Sequence, residues 1–475
     1  MRTIVKIFVV VSLFVCSSCA DDLTSLNENT KDATTTSGDM FFSNVLKELA
    51  DDLGSTTYLA NGTASARLFA QLVTSVTYVE GVTYLKDFSW TAQYRDMLKD
   101  LDESHRIISA QQPQIEAEII QQANQLAMIE IMNVYIYEIL VEAYGDIPYS
   151  EALDFENVQP KYDDDQVVYL DLISRLSAAI NNLNPAGDGF GASDLVYGGN
   201  VSAWLKFANS MKLRMGMRII DVEPTIGEQA VSEAVAGGVF TSNEDNARFV
   251  YLNDINNANP YYAFLVRQNL KYYVGTKPLV DYMNAFNDPR RGAYFIAING
   301  EYKGAVSADV VPYTEYSSLS DRFREMTLPV LFLDYASVEF FLAEAAERGI
   351  AGVSDAELHY NNAIRASFDY YELSGVDEYL AQPAVNYSTA QGTWKEKIGV
   401  QKWIALFEQG FEAWTEYRRL DYPVLEAPAA AFADVVPRRF TYPIDEQSVN
   451  NVSYEAAAAA IGGDEYETRL FWDVN

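Results

Sequence analysis

The chain contains little cysteine and little histidine. Its 475 residues include two cysteines, Cys16 and Cys19, and two histidines, His105 and His359. Because both cysteines lie within the first 19 residues, the rest of the chain has none for a disulfide or a thiolate metal site. The histidines are not spaced four residues apart on one helix, which excludes the zinc-binding helix of many metalloproteases.

Positive charge is scarce as well. The chain has 34 lysines and arginines against 67 aspartates and glutamates, which gives a formal net charge of -33. Nucleic acids and anionic lipid surfaces are bound through clustered lysine and arginine, so this balance argues against both as partners. After the N-terminal segment, no apolar run reaches the ~18 residues that a transmembrane helix needs.

The N-terminal segment is typical of an exported lipoprotein. Two basic residues, Arg2 and Lys6, precede an apolar stretch over Ile7–Val15. That stretch is too short to span a bilayer of about 30 Å, so it predicts a secretory signal. Small residues then lead to Cys19, which predicts lipid attachment at this cysteine and anchoring in a membrane. Cys16 follows bulkier residues and is the weaker site, and an ordinary cleaved signal is the alternative.

These features divide the chain into three parts. We expect a signal peptide over residues 1–18, a polar, flexible tether over residues 19–39 and a folded domain over residues 40–475. Apolar residues recur every three or four positions in Gln114–Tyr144, which predicts a long helix. The same periodicity predicts other helices at Met40–Leu53, Gln166–Leu183, Val201–Ile220, Glu228–Ala236, Val338–Arg348, Asp355–Tyr371 and Val400–Tyr417.

The predicted fold class is therefore all-α with minor β structure. Short strands are predicted near Ala247–Leu252 and Ala293–Ile298. Between residues 224 and 330 the helical periodicity weakens and asparagine, glycine, tyrosine and proline become frequent, which predicts a loop-rich variable lobe. Periodicity alone is consistent with either a helical solenoid or a helical bundle.

Signatures of catalysis are absent from the sequence. There is no Gly-x-Ser-x-Gly elbow of a serine hydrolase. Asp163, Asp164 and Asp165 are consecutive, but they lack the spacing of a calcium loop and are better suited to the first turn of a helix. A glycosidase requires two carboxylates about 5–10 Å apart, and Glu339 and Glu344 share one predicted helix. We expect no enzymatic activity and no cofactor, with glycoside hydrolysis as an alternative that the sequence neither supports nor removes.

Several strings, in a fixed order along the chain, add information that periodicity lacks. Tyr144–Ala152 reads YGDIPYSEA and closely resembles the segment that follows a long helix in the SusD/RagB family. The resemblance extends from the lipoprotein signal to about residue 450, with one departure at Thr30, where a proline is expected. The other matching strings are Pro160–Asp163, Trp204–Arg214, Asp288–Arg290, Glu339–Ala345, Ile398–Arg419 and Pro437–Arg439.

The resemblance implies a fold, a location and a partner. It implies tetratricopeptide-like helix pairs that support the variable lobe, on a lipoprotein exposed at the cell outer membrane. The partner implied is a SusC-like TonB-dependent transporter, to which the protein passes an oligosaccharide during nutrient uptake and polysaccharide utilisation. A RagB-like lid that binds peptides is the alternative within the family, and a pure assembly scaffold is an alternative of another class.

Family members usually capture sugars with exposed aromatic residues. The 32 tyrosines, 24 phenylalanines and 6 tryptophans of this chain suit such a surface without proving it. Trp90 is the first choice for a stacking residue, and burial under the following helix is its alternative interpretation. The remaining candidates are Tyr78, Tyr84, Tyr272, Tyr273 and Tyr316, with Tyr302 and Tyr313 as further aromatic residues and Arg67 and Asn269 as hydrogen-bond donors.

Overall fold

The computed structural model describes residues 36–55, 62–85 and 88–474. The predicted signal peptide over residues 1–18, the proposed lipid site Cys19 and most of the predicted tether lie outside the described residues. A compact unit begins at Gly38. The first helix, α1, spans Gly38–Leu53, so the last two residues assigned to the tether belong to the folded domain.

The described residues form helices with a few very short strands, which confirms the predicted all-α class. The remaining helices are α2 (Gly62–Phe69), α3 (Lys99–Ser109), α4 (Glu116–Tyr144), α5 (Asp165–Asn182), α6 (Val201–Ile219), α7 (Pro224–Gly237), α8 (Pro260–Tyr262), α9 (Lys277–Ala285), α10 (Arg291–Tyr294), α11 (Tyr335–Glu347), α12 (Ala356–Tyr370), α13 (Val376–Leu380), α14 (Trp394–Ala405), α15 (Gly410–Leu420), α16 (Glu446–Val449) and α17 (Asn451–Ala460). The strands are β1 (Val73–Ser75), β2 (Ile147–Pro148), β3 (Tyr162–Asp163), β4 (Ala247–Phe249), β5 (Tyr273–Gly275) and β6 (Val330–Leu333), and each pairs antiparallel as β1–β5, β2–β3 or β4–β6.

The helices pack as consecutive pairs. α4 packs on α5, α6 on α7, α11 on α12 and α14 on α15, and α11 also contacts α6 and α14. These pairs are the tetratricopeptide-like scaffold that the family resemblance implies. Helix starts follow from local chemistry, because the carboxylate of Asp164 accepts the backbone N–H of Val167 and Asn200 accepts that of Ala203. α4 ends at Gly145, whose φ of 85° is readily adopted by glycine.

The tryptophans of the matching strings are core residues. Trp204, Trp403 and Trp414 are fully buried, as their positions on apolar helix faces predict. Each indole N–H is satisfied inside the protein, Trp403 by the carbonyl of Ala70 and Trp414 by the carbonyl of Pro437, both at 2.7 Å. These rings fix the scaffold and are not available to a ligand.

The charged residues of the same strings meet in a buried ionic network. Arg218 on α6 contacts Glu142 on α4 at 2.7 Å and Glu412 on α15 at 3.1 Å, and it also pairs with Glu416. Glu416 accepts a further bond from Lys402 on α14 at 2.7 Å. These ion pairs thus join three helix pairs. Because electrostatic interactions are strong in the low-dielectric interior, loss of one charge would leave its partners poorly compensated.

Two sequence predictions are wrong in detail. The helix predicted over Val400–Tyr417 is interrupted, because a 3₁₀ turn at Leu406–Glu408 separates α14 from α15. The strand predicted at Ala293–Ile298 is not formed, since its start belongs to the helical turn α10 and its end makes isolated bridges only. The strand predicted near Ala247–Leu252 is confirmed as β4, which pairs with β6.

Candidate functional site

Two tyrosines meet where β1 and β5 pair. The pairing places Thr74 opposite Val274, and the backbone N–H of Val76 extends it by donating to the carbonyl of Tyr272 at 2.9 Å. Tyr78 therefore lies beside Tyr272, with ring centroids 5.2 Å apart and ring planes at 83°. Almost 200 residues separate the two in the chain, and the pairing of β1 with β5 brings their segments together.

The pair combines an exposed ring with a supported one. Tyr78 is 55% exposed, whereas Tyr272 is half-buried. Phe264 and Tyr273 are buried, and each has its ring centroid 4.9 Å from that of Tyr272. Edge-to-face contacts of this kind hold aromatic rings in a fixed orientation. Tyr78 and Tyr272 thus form a pre-oriented aromatic step on the protein surface.

A third segment extends this surface. Gly275 donates its N–H to the carbonyl of Ser317 at 2.9 Å, which places the chain around residues 303–318 beside β5. Tyr313 and Tyr316 pack against a small buried cluster of Val76, Val274 and Ala305. The ammonium of Lys303 lies 4.9 Å from the centroid of the Tyr316 ring. We name the region formed by Tyr78, Tyr272, Tyr313 and Tyr316 the tyrosine surface.

The predicted hydrogen-bond donors fall in different environments. Asn269 is exposed, with a φ of 51°, in the turn that leads from Phe264 to Tyr272. Arg67 is buried and donates to the carbonyl of Leu53 at 3.1 Å. Burial lowers the pKa of the Arg67 guanidinium to about 10. Asn269 is therefore presented next to the tyrosine surface, whereas Arg67 supports the end of α1.

Trp90 and Tyr84 require a correction, because both rings are buried. Trp90 is 6% exposed and packs against Tyr144 and Tyr162 at centroid distances of 5.0 and 5.6 Å. Tyr84 packs edge-on against Phe69 at 5.2 Å, and burial raises the pKa of its hydroxyl. A sugar stacks on an open ring face, and neither of these two rings presents one, whereas Tyr78 is exposed. Tyr273, a further candidate, is also buried and acts as support.

One exposed aromatic residue near this region was missed from the sequence. Phe432 is largely exposed, and its backbone N–H donates to the carbonyl of Thr83 at 2.8 Å. It therefore borders the loop that follows Tyr78. Its neighbours are alanines and an aspartate in an irregular segment, and this pattern carries no periodic signal that would have identified it.

The aspartates considered for calcium are used differently from one another. Among the described residues, carboxylates of Asp146, Asp164 and Asp165 lie within 4.8 Å of one another, whereas Asp163 instead pairs with Lys161 at 2.9 Å. Asp146 accepts the backbone N–H of Asp165 at 3.0 Å. Burial raises the pKa of Asp146 to about 6, and burial together with the Asp146 charge raises that of Asp165 to about 7. All three carboxylates accept backbone N–H groups at the start of α5.

The glutamates considered for hydrolysis are engaged within the scaffold. Glu344 is fully buried and accepts two bonds from Arg419, at 2.7 and 2.5 Å. Glu339 lies 2.6 Å from Nδ1 of His359. Neither carboxylate faces an open cleft, so this pair does not form a glycosidase site.

In the part of the chain that the structure describes, helices long and apolar enough to cross a membrane are absent.

Comparison with known proteins places this architecture in a family. The sequence model of the SusD-like family, described as starch-binding and associating with the outer membrane, matches residues 28–443. The chain is 28% identical to a chitin-binding protein of solved structure, covering 92% of this chain and 100% of that one with a TM-score of 0.76. A SusD homolog from Bacteroides ovatus is 27% identical over 92% of this chain and 99% of its own, also with a TM-score of 0.76.

Other comparisons agree on the fold. A chitin-binding SusD homolog from Flavobacterium johnsoniae is 23% identical, covers 92% of this chain and 98% of its own, and has a TM-score of 0.76. At this identity the likeness establishes the fold. No curated protein sequence matches the chain. Since the family model covers most of the sequence and the helix pairs carry its strings, the chain belongs to the SusD-like family.

Proposed function

We propose that this protein is a cell-surface lipoprotein that binds an oligosaccharide, without cleaving it, and passes it to a SusC-like TonB-dependent transporter. The observation that carries the proposal is the exposed ring of Tyr78, held edge-on by Tyr272 on a surface with further tyrosines. The family model, whose description includes starch binding and outer-membrane association, supports both the ligand class and the location.

The chemistry of the tyrosine surface suits a sugar. A pyranose ring has an apolar C–H face that packs on an aromatic ring and hydroxyls that need hydrogen-bond partners. Tyr78 and Tyr272 supply ring faces and phenolic hydroxyls together. Asn269, exposed in the turn before Tyr272, and Lys303, exposed beside Tyr316, supply further polar groups. A surface of this kind binds a flexible oligosaccharide along its length without enclosing it.

Chitin-type oligosaccharides are the first ligands to test. The structural relative with 28% identity is named a chitin-binding protein, and a more distant SusD homolog is named in the same way. The acetamido group of such sugars adds a methyl group and an amide, which fit a surface of aromatic rings with polar neighbours. Starch-type oligosaccharides form the second arm, because the family description refers to starch.

Membrane attachment and the partner rest on the sequence and on the family. The predicted acylation of Cys19, followed by a polar segment before α1, would tether the domain to the outer membrane. A lipid-anchored binder needs a separate channel to move its ligand across the membrane. The SusC-like transporter implied by the family resemblance supplies that channel.

The proposal is tested by calorimetric titration of the soluble domain, starting after Cys19, with chitin-type and starch-type oligosaccharides and with oligopeptides. We expect one saccharide class to bind without product formation. Tyr78→Ala should weaken that binding about tenfold or more. Phe155→Ala, which removes an exposed aromatic ring from a different segment, is the matched control and should leave saccharide affinity unchanged.

Other outcomes identify the alternatives. Binding of peptides alone would assign the protein to the RagB-like mode. Cleaved products in the same samples would overturn the non-enzymatic part of the proposal. If both Tyr78→Ala and Tyr272→Ala still bind the saccharide, the proposed function stands, but the tyrosine surface is not its binding site.

A further inference from the structure

A cavity lies between α3, β2 and α16, and none of the residues that define the tyrosine surface lines it. It has a volume of about 420 Å³, which is within the range of small-molecule sites. Three segments enclose it: the chain entering α3, the segment after β2 and the region of α16. Its apolar lining consists chiefly of Trp90, Tyr94, Pro148, Leu153, Phe155 and Val449. We name it the Phe155 cavity.

Large apolar side chains stand exposed around its mouth. Phe155 is 80% exposed and Val158 is 82% exposed, and Val449 on the opposite wall is also exposed. The two walls are tied together, since Asn450 donates to the carbonyl of Pro160 at 2.8 Å. Exposing such apolar side chains to water does not stabilise the fold. Grouped exposed apolar residues beside a cavity mark a contact surface.

The floor of the cavity is rigid and aromatic. Trp90 lies there, with Tyr94 and Tyr162 edge-on to it at centroid distances of 5.7 and 5.6 Å. The Tyr94 hydroxyl is fixed by the carbonyl of Pro148 at 2.6 Å. Trp90, which is too buried for the sugar-stacking role predicted from the sequence, thus lies at the base of this cavity.

The described polar groups of the walls are largely satisfied within the protein. Glu446 accepts a bond from the Tyr162 hydroxyl at 2.6 Å. Asp154 accepts the backbone N–H of Glu156 at 2.9 Å. A ligand rich in hydroxyl groups would find few open partners here. The cavity therefore favours a ligand with a substantial apolar part.

Two cations at the rim indicate the charge of that ligand. Lys99 lies with its ammonium 4.5 Å from the Phe155 ring centroid, and the Arg95 side chain is largely exposed. Their carboxylate partners are Asp102 at 2.7 Å and Asp96 at 2.6 Å. The Arg95 pair is largely exposed and the Lys99 pair is partly exposed, and ion pairs in contact with water are weak, so a ligand carboxylate can compete with them.

We propose that the Phe155 cavity is a second binding site, for a small molecule that combines a planar aromatic ring with a carboxylate. The ring packs on the exposed Phe155 within the apolar cavity, and the carboxylate meets the Lys99 ammonium. This site goes beyond the proposed saccharide binding, because the described residues of the tyrosine surface and those that line the cavity do not overlap. Either site can therefore fail without the other.

The test is calorimetric titration of the soluble domain with 4-hydroxycinnamate and, separately, with the neutral cinnamyl alcohol. We expect the carboxylate to bind and the alcohol to bind more weakly. Phe155→Ala should weaken 4-hydroxycinnamate binding about tenfold, because it removes the exposed ring on which the ligand packs. Lys99→Gln should reduce the difference in affinity between 4-hydroxycinnamate and cinnamyl alcohol. Phe432→Ala removes another largely exposed ring, which does not line this cavity, and should leave 4-hydroxycinnamate affinity unchanged.

The high exposure of Phe155 makes the variant informative, since its loss leaves the core intact. A thermal melt that matches the wild type confirms that the fold is retained. Absence of 4-hydroxycinnamate binding at millimolar concentration, or equal affinity in Phe155→Ala and wild type, would overturn the site. Equal affinity for the acid and the alcohol would overturn the carboxylate assignment. Saccharide affinity, measured on the same variants, reports separately on the tyrosine surface.

Discussion

The guanidinium of Arg419 makes two parallel hydrogen bonds to the carboxylate of Glu344, at 2.7 and 2.5 Å, with both side chains fully buried. Arg419 lies in the last turn of α15 and Glu344 lies in α11, so the contact joins one helix pair to another. Arg419 also binds Glu416 at 2.7 Å. Arg419 and Glu344, which belong to strings that match the family, thus form buried ion pairs that hold the helices of the scaffold together.

Removing the Arg419 guanidinium should be strongly destabilising. In Arg419→Met the Glu344 carboxylate keeps, among the described residues, only Arg348 at 2.9 Å as an ion-pair partner, and a buried charge is left poorly compensated. We expect a loss of about 3–5 kcal/mol in the free energy of unfolding, measured by urea denaturation. Arg106→Met breaks an exposed pair with Glu103 and serves as control, with no measurable shift of the midpoint. Equal midpoints for both variants would contradict a structural role of the network.

The Asp146–Asp165 pair predicts a specific pH dependence of stability. Burial raises the pKa of Asp165 to about 7, with a contribution from the neighbouring Asp146 charge. In the unfolded chain this carboxyl group ionises near its ordinary pKa of about 4. The folded state therefore holds a proton that the unfolded state has lost, so this group lowers stability as the pH rises from about 4 to about 7.

Asp165→Asn should remove this dependence. The amide keeps an oxygen that can accept the N–H of Gln166, so helix α5 still starts normally. Thermal melts at a series of pH values should show the stability of the variant rising relative to that of the wild type between pH 4 and 7. Above that range the difference in stability should be constant. Asp188→Asn, at an exposed position, should track the wild type throughout. A constant difference at every pH would show that the Asp165 pKa is not raised.

The scaffold was accessible to sequence reasoning because helical periodicity is local. The long helix predicted at Gln114–Tyr144 is found at Glu116–Tyr144, and the start predicted at Val201 is unchanged. The interruption between α14 and α15 was missed, because Gln409 leaves the helical conformation (φ -116°, ψ 65°) without a proline to mark it. Short strands such as β6 were missed for a related reason, since their partners lie far away in the sequence.

The candidate site depended on contacts that local patterns do not contain. Tyr78 and Tyr272 were both among the predicted residues, but nothing in their neighbourhoods shows that they touch. Trp90 was preferred because a large aromatic ring suits stacking, yet three of its four tyrosine neighbours, Tyr144, Tyr162 and Tyr442, come from distant segments. Which ring is buried is decided by tertiary packing, so only the three-dimensional arrangement distinguishes Tyr78 from Trp90.

Stability measurements should separate these two rings. Trp90→Ala leaves a large void among packed tyrosines, and we expect a loss of about 3–5 kcal/mol in the free energy of unfolding. Tyr78→Ala removes an exposed ring and should change stability by no more than about 0.5 kcal/mol. Urea denaturation of the two variants provides the measurement. A large loss in Tyr78→Ala would mean that its ring is structural, and its effect on saccharide binding would then need to be corrected for unfolding.

Gly410 tests whether the scaffold positions the tyrosine surface. It begins α15, and a Cβ atom there would lie 2.5 Å from the Cβ of Arg67 on α2. Gly410→Ala must therefore push α2 away, at a cost of about 1–3 kcal/mol. Because β1 follows α2 after three residues, the displacement should reach Tyr78 and weaken saccharide binding as well.

The matched control for this variant is Gly349→Ala. A Cβ at Gly349 meets no atom within 4 Å, and its φ of 71° makes the cost conformational only, about 1 kcal/mol. That variant should lose stability while keeping its affinity for saccharides. If Gly410→Ala also keeps full affinity despite its loss of stability, the β1–β5 pairing alone fixes Tyr78 against Tyr272. The site would then be a self-contained unit mounted on the helix pairs, and mutations in the scaffold would alter how much folded protein exists rather than how well it binds.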